Sequence, residues 1–333
     1  MKDTRFNPDR GFYTNSVTVS ITSNTDNVTI RYTLDGSWPT ETTGLIYGGP
    51  LTFTNTTVLR AAAYRPGWQP SDVDSHTYLF LDDIINRTNP PAGYPSNWVT
   101  RGGTSRAADY TMDPDIINSP VYAPQMEPSL LHHPTVAMSI DIDEMFGQTN
   151  GIYANPGETA TNWERHVSAE FINFPGEDSF QLNCAVRVYG NASRSLNRPK
   201  HNMRLVFKSQ YGPGTLDFPA FRDGTIHEYN GYQMRGQNGD SWIHPTTGQQ
   251  IDATMLRDQV PKDLQVAMGM PSPQQDHMHL YVNGIYWGFY HTIERIDDNF
   301  MAKHFGGEQT DYDVLKAVNQ TGVVGVRDGD TVG

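Results

Sequence analysis

The chain has 333 residues, a formal charge of −13, 37% hydrophobic and 18% charged residues. That length suits two domains at about 100–200 residues each, with enough apolar material for ordinary cores. It contains no run of 18 apolar residues, which excludes a transmembrane helix from the expected elements. Lys and Arg form no stripe, which argues against nucleic acid as a partner. Met1-Lys2-Asp3-Thr4-Arg5 leads into strand-like sequence with no apolar stretch of the kind a signal peptide needs. The 22 prolines, 30 glycines and 11% aromatics favour strands, turns and loops over helix bundles. Cys184 is the single cysteine, so an internal disulfide cannot form; within the alternating stretch Phe180 to Val188 it is expected to be a buried small hydrophobe.

Residues 6–82 read as a small immunoglobulin-like β-sandwich. Alternating runs at Ser16–Ile21, Val28–Leu34, Val58–Tyr64 and Asp74–Leu79 are separated by Gly, Pro, Asn and Asp. More specific is the order Tyr32-Thr33-Leu34-Asp35-Gly36-Ser37-Trp38-Pro39-Thr40, then Tyr47-Gly48-Gly49-Pro50-Leu51, then Leu59-Arg60-Ala61-Ala62-Ala63-Tyr64 with Gly67 and Ser71. This order resembles the chitobiase/β-hexosaminidase C-terminal-type module, also called fibronectin-III-associated. Such modules are accessory sandwiches. Trp38, Tyr47 and Trp68 are candidate polysaccharide-binding rings, because flat rings stack on sugar faces; the alternative is packing at strand ends.

Residues 83–133 hold Pro90-Pro91, Pro95, Pro114, Pro120, Pro124 and Pro128 and are expected to be a linker. One short helix is expected around Asp113–Asn118. Tyr94, Trp98, Tyr110 and Tyr122 are expected to anchor the segment onto the second module. His132-His133 point apart if extended, which argues against a shared metal site.

From residue 134 to 333 the pattern is mainly β with some α. Thr135–Ile142 and Phe180–Tyr189 read as strands, with Asp141 and Asp143 as a weak cation pair. Met255, Leu256, Val260, Leu264, Ala267 and Met268 fit a 3.6 period, so a helix is expected over 253–268, capped by Asp252 or Thr254, kinked at Pro261 and stopped at Gly269. His277–Val282 and Ile285–Ile293 flank Asn283-Gly284, a strong hairpin signal. His277 and His279 share a face, but no third metal ligand is evident.

In order, Trp163-Glu164-Arg165, Arg187-Val188-Tyr189-Gly190, Ser193-Arg194, Lys200, Leu256-Arg257-Asp258, Tyr281-Val282-Asn283-Gly284-Ile285-Tyr286-Trp287-Gly288 and Glu294-Arg295-Ile296-Asp297 resemble the CotH (spore coat protein H) kinase-like family over about 134–318. The resemblance implies an α+β, kinase-N-lobe-like domain. It also implies that the intact protein is an atypical protein kinase using ATP and Mg or Mn on a protein substrate of unknown identity. By the same analogy, Lys200 opens a strand as a phosphate-contacting lysine, Arg187, Arg194 and Arg204 add positive charge, and Glu294 lies where the lobes join. The family's catalytic and metal-binding aspartates lie downstream of that point, so no catalytic or metal residue is assigned here, Arg327-Asp328-Gly329-Asp330-Thr331 read as a loop, and the chain is expected to be a fragment, truncated at the C-terminus and inactive alone. As an isolated front lobe it would leave Lys200 exposed or loosely paired. The pairing of modules implies an extracytoplasmic, secreted or cell-surface protein. The rival function is a non-catalytic surface or matrix protein whose sandwich binds glycan or a partner. A glycoside hydrolase would need paired carboxylates, and no segment nominates a pair.

Overall fold

The computed structural model describes residues 1–88, 90–158, 160–222, 226–236, 240–244, 246–317 and 324–328. Its first body is two facing sheets. Strands β1 (Thr4–Asn7), β3 (Val17–Ser23) and β6 (Leu51–Phe53) form one; β2 (Gly11–Phe12), β8 (Asp74–Leu79), β7 (Thr57–Tyr64), β4 (Thr29–Thr33) and β5 (Leu45–Ile46) form the other, in that order. Alternation places Val17, Val19 and Ile21 inward against Tyr32, Leu59, Ala61 and Tyr78. Strand β7 is buried from Val58 to Tyr64 on both faces. One face lies in this core, and the other meets the second body.

The segment after residue 82 carries more regular structure than its prolines suggested. It contains α1 (Leu81–Ile85), a ladder of β9 (Asn97–Val99) with β10 (Ser105–Ala107), α2 (Pro114–Ile117) and α3 (Ala123–His132). Helix α2 is the expected short helix, and Asp113 caps it by accepting from the Asp115 amide at 2.9 Å. Helix α3 was hidden by Pro124 in its first turn, where the missing N–H is tolerated, and by Pro128 inside it. Trp98 and Tyr110 do anchor: both are buried, and the indole donates to the Tyr110 hydroxyl at 3.0 Å. Tyr122 does not, since it stands before α3 with about half its surface in solvent.

Seven strands of the second body close into a barrel: β11 (Thr135–Ser139), β12 (Arg165–Ile172), β13 (Phe180–Val188), β14 (Met203–Val206), β17 (Gly231–Arg235), β19 (Ile285–Glu294) and β18 (Gln275–Val282). A parallel ladder between β11 and β18 makes the closure; all other neighbours are antiparallel. Met138, Val167, Cys184, Leu205, Met234 and Trp287 fill the interior, so Cys184 is the buried hydrophobe expected. Strands β15 (Leu216–Asp217) and β16 (Glu228–Tyr229) pair beside it, as do β20 (Val314–Ala317) and β21 (Val324–Asp328). Arg327 and Asp328 therefore sit in a strand, not a loop; residues 329–331 lie outside the described residues. Asn283 and Gly284 form the expected β18–β19 hairpin with positive φ at both positions. Helices α4 (Ile142–Phe146), α5 (Thr247–Ile251), α6 (Gln259–Ala267) and α7 (Asp298–Phe305) lie in the connections. Asp141 is the N-cap of α4, accepting from the Asp143 amide at 2.8 Å, rather than half of a strand-borne cation pair.

Helix α6 is shorter than the sequence period implied. Met255 takes a positive φ and Leu256 precedes the helix. Neither Asp252 nor Thr254 caps it, and Asp252 instead ends α5. Pro261 falls in the first turn, where proline does not kink a helix. Gly269, with φ +79°, follows the helix end as expected.

No described ladder joins the two bodies, but they share a dense seam on the outer face of β12 and β13. The Thr77 amide and hydroxyl donate to the Glu170 carboxylate at 2.8 and 2.5 Å, and Arg10 Nε lies 3.4 Å from it. Arg60, fully buried, donates to Ser75 and Ser168, and its guanidinium lies 3.7 Å from the centre of the Trp38 ring. Gly36 sits so close to Asn283 that a Cβ there would come within 2.6 Å of its side chain.

Burial pushes the Glu170 carboxyl up to about 7, against the pull of Arg10 and Thr77. A raised folded-state value means that the stability linked to this proton is full below the ordinary carboxyl range and is lost as pH rises through about 7. Urea midpoints of the native chain should therefore fall relative to Glu170→Gln as pH rises from about 4.5 to 7. At pH 8, Thr77→Val should cost about 1–3 kcal/mol, the cost of leaving a buried carboxylate short of donors. A native chain and a Glu170→Gln variant with parallel pH profiles would contradict this account.

Candidate functional site

Because barrel interiors are apolar, the polar residues of β13, β14 and β17 point outward. Arg187 stands directly opposite Arg204 across the β13–β14 ladder, and Arg204 opposite Gln233 on β17. Like charges placed directly opposite on a sheet are destabilising. Burial holds the Arg187 guanidinium below its ordinary value, opposed by Glu164 and assisted by Arg295. Its carboxylate, Glu164, lies 3.9 Å away and is shared with Lys208, whose ammonium is 2.8 Å from it. Arg295 in turn binds Asp297 at 2.8 Å. Arg187, Arg204, Lys208 and Arg295 thus gather here against the carboxylates of Glu164, Asp297 and Asp328.

The connection from β13 to β14, residues 189–202, is held in one shape. Gly190 has φ +97°, and a Cβ there would come within 2.5 Å of the Ser193 hydroxyl, which donates to the Tyr189 carbonyl at 2.7 Å. Arg194, half-buried, donates to the Gly157 carbonyl at 2.8 Å and so ties this connection to the neighbouring loop.

Lys200 is in this connection too, ahead of β14 rather than opening it, and is neither exposed nor loosely paired. Its ammonium donates to the Asp109 carbonyl at 2.7 Å and lies 4.3 Å from the centre of the Trp287 ring and 5.4 Å from that of Trp98. Burial brings its pKa down to about 8. A cavity of about 590 Å³ opens beside it, lined in part by Met112, Trp242, Met255 and Tyr290. Glu294 is remote from Lys200. It is buried at the far end of β19, opposite Tyr232, and takes His304 at 3.0 Å and the Gln274 amide at 3.2 Å. The Lys200 carbonyl abuts Gly236, four residues along β17 from Tyr232, or roughly 13 Å at strand rise.

The histidines that the sequence placed on one face of β18 each hold a neighbouring segment. His277 Nε2 lies 3.0 Å from the Met255 carbonyl, and His279 Nε2 lies 3.0 Å from that of Ser129. Among the described residues, no three His, Cys, Asp or Glu side chains converge as a metal site would require. The sugar-binding candidates have separate surroundings. Trp38 is wedged in the seam between Arg60 and His166, whose ring is 4.2 Å away. The Tyr47 hydroxyl accepts the Ile21 amide at 3.0 Å. Trp68 is exposed, with Arg65 stacked 4.7 Å above it.

One cluster escaped the sequence altogether. Asp258, at the start of α6, is bonded to Arg235 of β17 and lies 2.7 Å from Lys262, with His291 of β19 at 3.8 Å. The motif Leu256-Arg257-Asp258 carried the acid but nothing to say which strand it would meet.

Residues 8–75 match the family model of the chitobiase/beta-hexosaminidase C-terminal domain, and residues 186–326 match that of the CotH kinase protein. The two matches fall in the order that the motifs indicated. The second match begins at the arginine strand and takes in every cation described above from Arg187 onward. No curated protein matches the chain.

Lys200 is a load-carrying contact between the 97–110 ladder and the barrel end. Lys200→Ala should destabilise by about 2 kcal/mol or more, as large-to-small changes at buried sites do, while Lys200→Met, which keeps the stem against the two indoles, should recover part of it. Chemical denaturation of both variants measures this; an unchanged Lys200→Ala would show the site to be slack.

Proposed function

We propose that this chain belongs to a CotH-like phosphotransferase, which moves the terminal phosphoryl group of ATP, with magnesium or manganese, to a protein. The observation that carries this reading is the Arg187–Arg204 pair, set against the charge rule for sheets and within the CotH family match. Phosphoryl transfer asks a protein chiefly for positioning and for cations beside the phosphates. The outward face of β13 and β14 offers the cations, and the pinned 189–202 connection offers the positioning. When bound, the metal ion would neutralise phosphate charge; no described residue of this chain is assigned to hold it. The described residues also supply no acid placed to orient an acceptor hydroxyl. The chain alone is therefore expected to bind nucleotide weakly and to transfer nothing. The family's spore-coat association supports placement at a surface or outside the cell, and none of the described helices is long and apolar enough to cross a membrane.

A second reading has its own support. Trp68 is an exposed ring on a module of a type associated with carbohydrate-active proteins, so the first body would hold polysaccharide through Trp68 while the second serves as scaffold.

Titration with Mg-ATP decides between them. Arg187→Met and Arg204→Met are each expected to weaken binding about tenfold, near 1.4 kcal/mol, and radiolabelled ATP should leave no phosphate on the chain. Binding unaffected by either substitution would remove the phosphotransferase reading. Retention on insoluble polysaccharide that Trp68→Ala abolishes would favour the second.

A further inference from the structure

Helix α6 is seated almost without apolar contact. None of its residues is buried, and Leu264 and Val266, with Met268 just after the helix, each expose more than half their surface. What fixes it to the barrel is polar: Asp258 to Arg235, Gln275 to the Gln259 carbonyl at 3.0 Å and, just before the helix, His277 to the Met255 carbonyl. Arg235 belongs to the same outward face as Arg204. The β14–β17 register pairs Arg204 with Gln233, so Arg235 is its diagonal neighbour, roughly 7–8 Å away for such positions. It also adjoins the pinned connection, since the Gly236 amide donates to Asn202 at 2.9 Å. An anion drawn to Arg187 and Arg204 and lying under residues 189–202 therefore meets Arg235 next.

Arg235 already has a partner, but a replaceable one. The side chains of Arg235 and Asp258 are 37% and 41% exposed, and an ion pair so open to water holds weakly. Asp258 has a second cation, Lys262, one helical turn on and 2.7 Å from its other oxygen. Burial alone would raise the Asp258 pKa, yet Lys262 and Arg235 outweigh it and hold the carboxyl below its ordinary value. If Arg235 turned away, Asp258 would keep Lys262 and stay charged. A phosphate competes well for a guanidinium, which it can engage through two parallel hydrogen bonds.

We propose that Arg235 is a third phosphate-binding cation of this face, and that Asp258 yields it to a bound nucleotide while retaining Lys262, so that occupancy loosens the seat of α6. This rests on the phosphotransferase reading above. In protein kinases a third-strand lysine both touches phosphate and pairs with the following helix. Here a strand arginine and a helix-start aspartate occupy comparable places, and the acid and the ligand are rivals rather than joint partners.

The rivalry sets the sign of the test. The full chain is titrated with Mg-ATP and, separately, with inorganic tripolyphosphate. Arg235→Met should weaken both about tenfold or more. Asp258→Asn, which releases Arg235, should tighten both severalfold. Asp263→Asn, which removes the same charge from the same helix without touching Arg235, should leave both within twofold. In the native chain, trypsin should cut beside Lys262 faster when tripolyphosphate is bound. Weakened binding in Asp258→Asn, or no change in Arg235→Met, overturns the assignment while leaving nucleotide binding in place. Should the native chain bind neither ligand, the phosphotransferase reading falls and takes the exchange with it.

Discussion

Closing seven strands into a barrel leaves the second body with one dry side. The parallel β11–β18 ladder removes both sheet edges, and the interior then accepts side chains such as Met138, Leu205 and Trp287 and little else. The few polar groups inside, such as the Trp287 indole on the Tyr153 hydroxyl, bond to one another or to backbone, while the charged residues of β12, β13, β14 and β17 stand on the outer surface. There the N-terminal sandwich, helices α3 and α6 and the arginine row lie side by side. The sandwich takes the outer residues of β12 and the first half of β13, including Ser168, Glu170, Gln181 and Asn183. The cations take the far end of β13 with β14 and β17, and α6 lies over β17, β18 and β19.

Wherever local chemistry decides structure, the sequence was easy to read. Alternation located β3, β4, β7, β8, β13, β18 and β19 within a few residues, and Asn283-Gly284 named its hairpin because few other pairs accept two positive φ values. Asp113 and Gly269 marked the ends of helices for similarly local reasons. Prolines ordinarily argue against helix, which hides α3, and Met255 and Leu256 fit a helical period that the backbone abandons before α6 begins.

The site was legible by residue type and illegible by direction. Arg187 and Arg204 could be nominated as cations, but their register follows from the length of the 189–202 connection, which no periodicity predicts. By resemblance, Lys200 is expected as a phosphate-contacting lysine, exposed or loosely paired in an isolated front lobe. It is buried because Trp98, from a segment expected to be a linker, meets Trp287 beside its ammonium. Trp38 packs, as the alternative to sugar binding had it, but its neighbours Arg60 and His166 come from different bodies. In each case the deciding neighbour lies far away in the chain, where a single sequence carries no pairing information.

The same closure governs the order in which the protein can be made. Thr135 lies in register with His279, so the first barrel strand, already paired with β12, waits for its second neighbour until about 140 residues later in the chain. Until that stretch has left the ribosome, β11 to β14 have an unpaired edge and the apolar side of β12 has no opposite wall. Contacts of such separation fold slowly, and open strand edges in the interval invite association with other chains. The N-terminal sandwich is complete by residue 79 and can form first. Its Arg60 and Thr77 lack Ser168 and Glu170 until β12 has been made, so the outer face of β7 and β8 is completed only by the second body.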